Sequence, residues 1–286
     1  MFSVEQLEAF DSLLWYRGGS AAAAACRCDE SSITRRVKQV LRLGGLALTR
    51  GQEFEVDGDL YPLLLERSVH QYLRFKGNRP LRIEIGNLIA SEIRGAIPGV
   101  WQFGSGDYRP SSVMSGFLRD RVIDAWITSV HLDLESLDDL IALPLWSAPL
   151  ILLVHPSHPL ASLKSLSKHI LRSFPSLELP DYFCPTLSKK LKLIGLSRGT
   201  TLRRFDRGSL LEAASDCMTI VYGSCLTNID SSELTPIAFD TGIDLVSNLV
   251  MRSDVSDTQA FSSILASLKE LAQALQSRHL QLQSLL

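Results

Sequence analysis

The chain has 286 residues, of which 45% are hydrophobic and 21% charged, and its formal net charge is −2. This length allows two domains with cores of their own, and the composition is typical of a globular protein that folds in water. The near-neutral balance excludes a globally basic nucleic-acid binder. The most apolar run, 141–154, is interrupted by prolines and is too short to span a membrane.

The first 45 residues predict three short helices. Ser3, with Gln6 at the capping-box position, predicts a first helix that ends near Tyr16. Ser20 precedes a run of alanines, which favours a second helix capped by Ser20. Asp29 is the predicted cap of a third helix, which should end where Gly44 and Gly45 follow each other.

The third helix has two different faces. Ile33, Val37 and Val40 form an apolar stripe, which should be buried. The opposite face has small hydroxyl and basic side chains: Ser31, Thr34, Arg35, Lys38 and Arg42. Basic side chains reach phosphates and guanine edges, and small hydroxyls allow a close approach to DNA. The pattern favours a recognition helix, and a solvated face on an ordinary core helix is the alternative.

Motifs in this region resemble those of the LysR family of transcription regulators. They are VEQLEAF in the first helix, Gly19-Ser20 before the alanines, SSITRRVKQV in the third helix and LGGLALTR ending at Arg50. The resemblance implies a winged helix–turn–helix that binds double-stranded promoter DNA. It also implies an effector-sensing domain, dimers or tetramers, and RNA polymerase as a further partner. The DNA-binding residues expected from it are Ser20, Ser31, Ser32, Thr34, Arg35, Arg36, Lys38 and Arg50.

Residues 46–56 predict a short β wing with Gly51 at its tip. Glu53 and Glu55 make this wing acidic, whereas the resembled family often has basic residues there. The acidic wing leaves Arg50 as the expected phosphate clamp, with Arg35 and Thr34 as the principal contacts.

Residues 60–75 predict a helix with Pro62 in its first turn. In the resembled family this linker helix pairs with its counterpart in a dimer, and here it is shorter by about three turns. The segment 76–80 has a composition typical of a hinge.

Strands and helices alternate from residue 80 onwards, which predicts an α/β fold. The segment 143–161 resembles the family's crossing between two subdomains. The expected fold class is therefore an N-terminal all-α winged helix–turn–helix and linker helix, followed by an α/β, two-subdomain, periplasmic-binding-protein-like (type 2) domain. The expected divisions are 1–59 for DNA binding, 60–79 for the linker, and 80–286 for effector binding, with subdomain I at about 80–155 and 235–286 and subdomain II at about 160–234.

A ligand of such a domain should bind beyond the carboxyl ends of the strands, near helix N-termini. The candidate effector-binding residues are Asn87, Leu88, Thr128, Ser129, Gly208 and Ser209. Simple helix capping is the alternative role for Thr128, Ser129 and Ser209. The helix after the first strand should be little more than two turns long, which predicts a reduced or reshaped pocket. Ser111 is the expected cap of the next helix.

Other chemistry finds little support in the sequence. The five cysteines lack paired spacing, which indicates reduced thiols and a cytoplasmic protein. His155 and His158 form H-x-x-H between prolines, without a carboxylate at the spacing that a zinc site needs. We therefore expect no metal, no cofactor and no enzymatic activity. The alternative function is a diverged cytosolic binding or protein-interaction module with weak or lost DNA binding.

Overall fold

In the computed structural model of the chain, the structure describes residues 2–51, 53–86, 90–97, 99–107, 109–129, 139–179, 184–202, 207–227 and 230–286. The helices are α1 (Val4–Tyr16), α2 (Gly19–Cys26), α3 (Glu30–Gly44), α4 (Tyr61–Phe75), α5 (Ala90–Ala96), α6 (Ser111–Arg119), α7 (Lys168–Leu171), α8 (Pro185–Ile194), α9 (Arg207–Ala214) and α10 (Gln259–Arg278). The strands are β1 (Ala47–Arg50), β2 (Phe54–Asp57), β3 (Leu81–Ile85), β4 (Trp101–Phe103), β5 (Ala125–Thr128), β6 (Leu140–Pro149), β7 (Ile151–Val154), β8 (Val221–Gly223), β9 (Thr235–Pro236), β10 (Asp244–Arg252) and β11 (Gln283–Ser284).

The N-terminal part consists of α1, α2 and α3 followed by the antiparallel hairpin β1–β2. The predicted capping box is confirmed, because Ser3 and Gln6 each bond to the other's backbone amide. Asp29 caps α3, and Gly45 ends it with a left-handed φ of 62°. The predicted cap of α2 is wrong. Gly18 is the N-cap, and Ser20 lies inside the first turn, because the helix begins one residue before it.

Six strands form a mixed sheet in the order β11-β6-β10-β5-β3-β4. Strand β3 runs parallel to β4 and β5, whereas β10 is antiparallel to β5 and β6. The apolar side of α10 covers this sheet with Ile264, Leu268 and Leu275, which are buried in its core. Helix α5 has seven residues, as the short segment predicted. Pro110 occupies the N-cap of α6, so the predicted cap Ser111 is instead its first helical residue.

A second sheet of three strands has the order β8-β7-β9. We expected residues 150–154 and 235–239 in the first subdomain, and this is wrong. Strand β7 pairs with β8 and β9 because the chain changes sheets at Pro149, and it returns to the large sheet only at Ile243, whose carbonyl accepts from the Leu150 amide. The sequence also predicts a strand at 201–205, most of which lies outside the described residues. Thr201 makes a single bridge to Glu178.

Candidate nucleic-acid interface and ligand cleft

Helix α3 exposes the face that the sequence predicted. Its buried side, with Ile33, Val37 and Val40, packs in the core of the N-terminal part. The opposite side lines a shallow surface groove made entirely of polar residues: Ser31, Thr34, Arg35, Lys38, Gln39 and Arg42. The structure thus places Arg35, Lys38 and Arg42 together on one exposed, polar helix face.

The hydroxyl groups on this face already donate hydrogen bonds to residues at the start of the helix. Ser31 and Ser32 donate to the Asp29 carboxylate at 2.5 and 2.9 Å, and Thr34 donates to the Glu30 carbonyl at 3.1 Å. These bonds, with the Ser32 amide, hold the pKa of Asp29 well below its usual range. The hydroxyl oxygens keep their acceptor capacity, and the donor groups left on this face are mainly the basic side chains.

Among the described residues, Arg35 has one polar contact, a 3.5 Å approach to the Ser32 hydroxyl. It is exposed together with Lys38 and Arg42, whereas Arg36 is half-buried at the edge of the face. Arg50 is exposed at the end of β1, and its guanidinium lies 5.5 Å from the centre of the Phe54 ring. Among the predicted DNA-binding residues of α3, Ser31, Thr34, Arg35 and Lys38 are thus exposed, and Ser32 and Arg36 are half-buried.

Ser20 lies exposed in the first turn of α2, where backbone amides lack helical partners. Glu30 was not singled out in the sequence, yet its carboxylate lies against Gly19, since a Cβ there would be 2.5 Å from Glu30 Oε1. A phosphate that approached this helix end would therefore meet an acidic side chain.

A cleft separates the large sheet from the three-stranded one. It contains a cavity of 70 Å³, bounded by Ser129 after β5, by α8 and by the start of β10. The Ser129 hydroxyl lies 2.8 Å from that of Ser247, and Lys190 of α8 and Asp244 of β10 add opposite charges. Pockets for drug-sized ligands usually have about 300–1,000 Å³. The cavity among the described residues is smaller than this range, and the reduced effector pocket stays a prediction.

The predicted effector-binding residues do not all converge on this cavity. Ser129 lines it, and Thr128 is buried beside it in β5. Gly208 and Ser209 belong to the first turn of α9 and do not line it. Asn87 and Leu88 lie outside the described residues. Cys184 and Lys190, which the sequence did not single out, do line the cavity, because their contact with it depends on how the two sheets face each other.

The H-x-x-H motif places His158 in the interior, where both ring nitrogens have protein partners. His158 is buried, accepts from the Leu160 amide at 3.0 Å through Nδ1, and lies 2.9 Å from the Met218 carbonyl through Nε2. Burial lowers the pKa of His158, so the neutral ring is favoured. Across the part of the chain that the structure describes, no cluster of three metal-ligating side chains was found. Within the same residues, every helix is too short or too polar to cross a bilayer.

Comparison with known proteins gives a match to solved structures alone. No family model and no curated protein sequence matches the chain. A full-length OxyR variant from Pseudomonas aeruginosa matches with a TM-score of 0.56 and 12% identity, over 94% of this chain and 98% of that one. CbnR, a LysR family transcriptional regulator, matches with a TM-score of 0.55 and 12% identity, over 94% and 99%. A full-length BenM variant matches with a TM-score of 0.52 and 16% identity, over 96% of this chain and 97% of that one.

These three matches span nearly the whole of each chain, so they compare complete arrangements of domains. At 12–16% identity they establish a shared fold. The resemblance to LysR-type regulators that the sequence motifs indicated is therefore confirmed at the level of the fold.

Proposed function

We propose that this protein is a LysR-type transcription regulator that binds specific sites in double-stranded promoter DNA. Its N-terminal domain, residues 1–59, would act as a winged helix–turn–helix with α3 as the recognition helix and the hairpin β1–β2 as the wing. The main support is the exposed basic face of α3 on a chain that shares its fold with full-length regulators. Ser20, Ser31, Ser32, Thr34, Arg35, Arg36, Lys38 and Arg50 are the proposed DNA contacts.

Helix α4, in the linker 60–79, supports a dimer. Its exposed face has a row of large apolar side chains that are 51–68% exposed: Tyr61, Leu65, Val69 and Tyr72. Its inward face is mostly polar, with Arg67, Gln71 and Arg74 buried in addition to Leu63. A surface helix normally shows the reverse arrangement. An apolar row of this kind marks a protein contact, and pairing with α4 of a second copy would bury it. A two-fold dimer would also present two recognition helices to one operator.

Residues 80–286 are proposed to form the effector-binding domain. Its ligand would be small and would bind in the cleft, where Ser129, Lys190 and Asp244 offer both charges and a hydroxyl. Thr128, Ser129, Asn87, Leu88, Gly208 and Ser209 remain the proposed effector-binding residues. The regulator would act in the cytoplasm, as a dimer or tetramer, with RNA polymerase as a further partner.

The experiment is selection of binding sites from a pool of random-sequence DNA duplexes by the purified chain. The proposal predicts enrichment of a two-fold symmetric motif. It also predicts that Arg35→Ala weakens the enrichment, whereas Arg198→Ala, which removes an exposed arginine far along the chain from α3, leaves it intact. A pool without any enriched motif would contradict the proposal.

A second candidate is a binding or protein-interaction module whose N-terminal domain no longer binds DNA. Glu53 in the wing turn favours it, because this acidic side chain pairs with Arg17 at 3.0 Å and lies 3.7 Å from Arg109. Calorimetry with a panel of small metabolites would separate the two candidates when combined with the selection. A ligand bound without any DNA preference would favour the second candidate, and a symmetric motif would exclude it.

A further inference from the structure

The N-terminal part and the large sheet share a buried apolar interface within one chain. Trp15, at the end of α1, has no exposed surface. It packs in a cluster with residues of α6, of β5 and of the segment between them: Met114, Leu118, Val122, Ile123 and Trp126. Phe117 of α6 in turn packs against the core of the N-terminal part. A buried tryptophan removes about 150–250 Å² from water, so its loss from this site would be costly.

Glu84 of β3 forms the polar centre of the same interface. Its Oε2 accepts from the Trp15 indole N–H at 2.7 Å, and its Oε1 accepts from the Gly106 amide at 2.7 Å. Gly104 gives the carboxylate room, since a Cβ at that position would overlap it. The end of α1 is fixed in the same way, because Tyr16 donates to the Phe103 carbonyl at 2.8 Å and Arg109 donates to the Trp15 carbonyl.

Helix α4 lies between the two parts and joins them through two buried aspartates. Asp11 of α1 pairs with Arg67 of α4 at 2.8 Å and with Arg82 of β3 at 3.1 Å. Asp124, before β5, accepts from Arg74 of α4 at 2.8 Å and from the Arg82 amide at 2.9 Å. Each carboxylate therefore binds residues of both α4 and β3. We expected a hinge at 76–80, yet the helix before it and the strand after it share these ion pairs.

The wing turn between β1 and β2 also contacts the segment that lies between β4 and α6. Glu53 approaches Arg109, a buried residue in the segment before α6, and Arg17 connects Glu53 to Asp107 at 3.0 and 3.1 Å. The acidic wing, unexpected for a DNA contact, thus has partners within the chain.

Domains joined by a flexible linker usually move relative to each other unless their interface is large and apolar. Here the interface contains a fully buried tryptophan and buried ion pairs from three elements. We propose that the N-terminal domain and the large sheet of one chain form a single cooperative unit, with Trp15 bound to Glu84 as its central contact.

Strand β3, which holds Glu84, also connects this unit to the cleft. Ile85, the next residue of β3, pairs with Ile127 of β5, and β5 leads directly to Ser129 at the cavity. A shift of these strands would move α1, and hence α3, within one subunit. This last step rests on the proposed function, because it concerns a regulator whose cleft binds an effector. The cooperative unit itself does not depend on DNA or on a ligand.

Hydrogen exchange of the full chain, followed by mass spectrometry without DNA or ligand, tests the unit. Trp146 lies in β6, in the core of the large sheet, and its indole N–H has no partner among the described residues. Trp146→Phe therefore perturbs the sheet core far from the N-terminal part without breaking a hydrogen bond. In one cooperative unit it speeds exchange of the slowest amides of α1 and α3 by the same factor as those of β3 and β5.

Faster exchange in β3 and β5 with α1 and α3 unchanged would overturn the proposal. Should Trp146→Phe not fold, Ile264→Val removes one methylene group from the same core and makes the same comparison.

Trp15→Phe keeps an aromatic ring and deletes the bond to Glu84. It should speed exchange of the slowest amides of α1, α3, β3 and β5 by the same factor, and faster exchange confined to α1 and α3 would also overturn the proposal. Failure to bind DNA in other assays would leave these results unaffected.

Discussion

Asp11 in α1 and Arg67 in α4 meet at 2.8 Å with side chains that are 2% and 3% exposed. The same carboxylate faces Arg82, so Asp11→Ala would leave two buried arginines short of a counter-ion. Removal of one partner from a buried ion pair typically costs about 3–5 kcal/mol. We expect a loss of this size in the free energy of unfolding, measured by urea denaturation.

The matched control is Asp57→Ala, which removes an exposed aspartate from the wing hairpin. Exposed charges contribute about 0–1 kcal/mol, so this variant should resemble the wild type. Equal losses for the two variants would show that the Asp11 carboxylate does not hold α1 to α4 and β3.

Glu84 should make stability depend on pH. Burial raises its pKa above the ordinary value of 4.5, although the Gly106 amide, the Trp15 indole and the charge of Arg109 act in the opposite direction. From about pH 4.5 up to the raised pKa, the folded chain therefore binds more protons at this group than the unfolded chain does. The free energy of unfolding falls as the pH rises through that window.

Glu84→Gln removes this dependence because an amide does not titrate. Relative to the wild type, the variant should become progressively more stable as the pH rises above 4.5. Denaturation curves from about pH 4 to 8 measure the difference, with Glu55→Gln as an exposed control in the hairpin. A difference that stays constant with pH would contradict the raised pKa of Glu84.

The apolar row on α4 should hold two copies of the chain together. Val69 lies in the middle of that row and is 55% exposed, so Val69→Lys places a charge where the second copy would pack. We expect a dimer that dissociates at concentrations at which the wild type stays associated, as measured by sedimentation. Leu280→Lys is the control, because this leucine is 98% exposed and lies outside the row. An unchanged sedimentation profile for Val69→Lys would place the dimer interface elsewhere.

Local signals in the sequence were sufficient to predict the ends of α1 and α3. The Ser3–Gln6 capping box, the Asp29 cap and Gly45 each act within one turn of helix, and each was found as predicted. Ser20 shows where local patterns fail. A serine and a glycine can both cap a helix, and here Gly18 is the N-cap without any side-chain cap bond.

Contacts between distant residues were not predictable from one sequence. Strand β9 has two residues, and its pairing with β7 rather than with the large sheet depends on where the chain turns. Glu84 occupies one position of an alternating strand, and nothing local indicates that it binds Trp15, 69 residues earlier. The inward polar face of α4 has the same origin, because its aspartate partners come from α1 and from the segment before β5.

DNA recognition by α3 is measured most simply as binding of the purified protein to the DNA upstream of its own gene, at low and at moderate salt. We predict specific binding that weakens steeply with salt, because phosphate contacts release counter-ions. Arg35→Ala should lose about 1–3 kcal/mol of binding free energy, and the control Arg198→Ala should bind like the wild type. Absence of binding by the wild type at low salt would contradict a DNA-binding regulator and favour a module that has lost its DNA function.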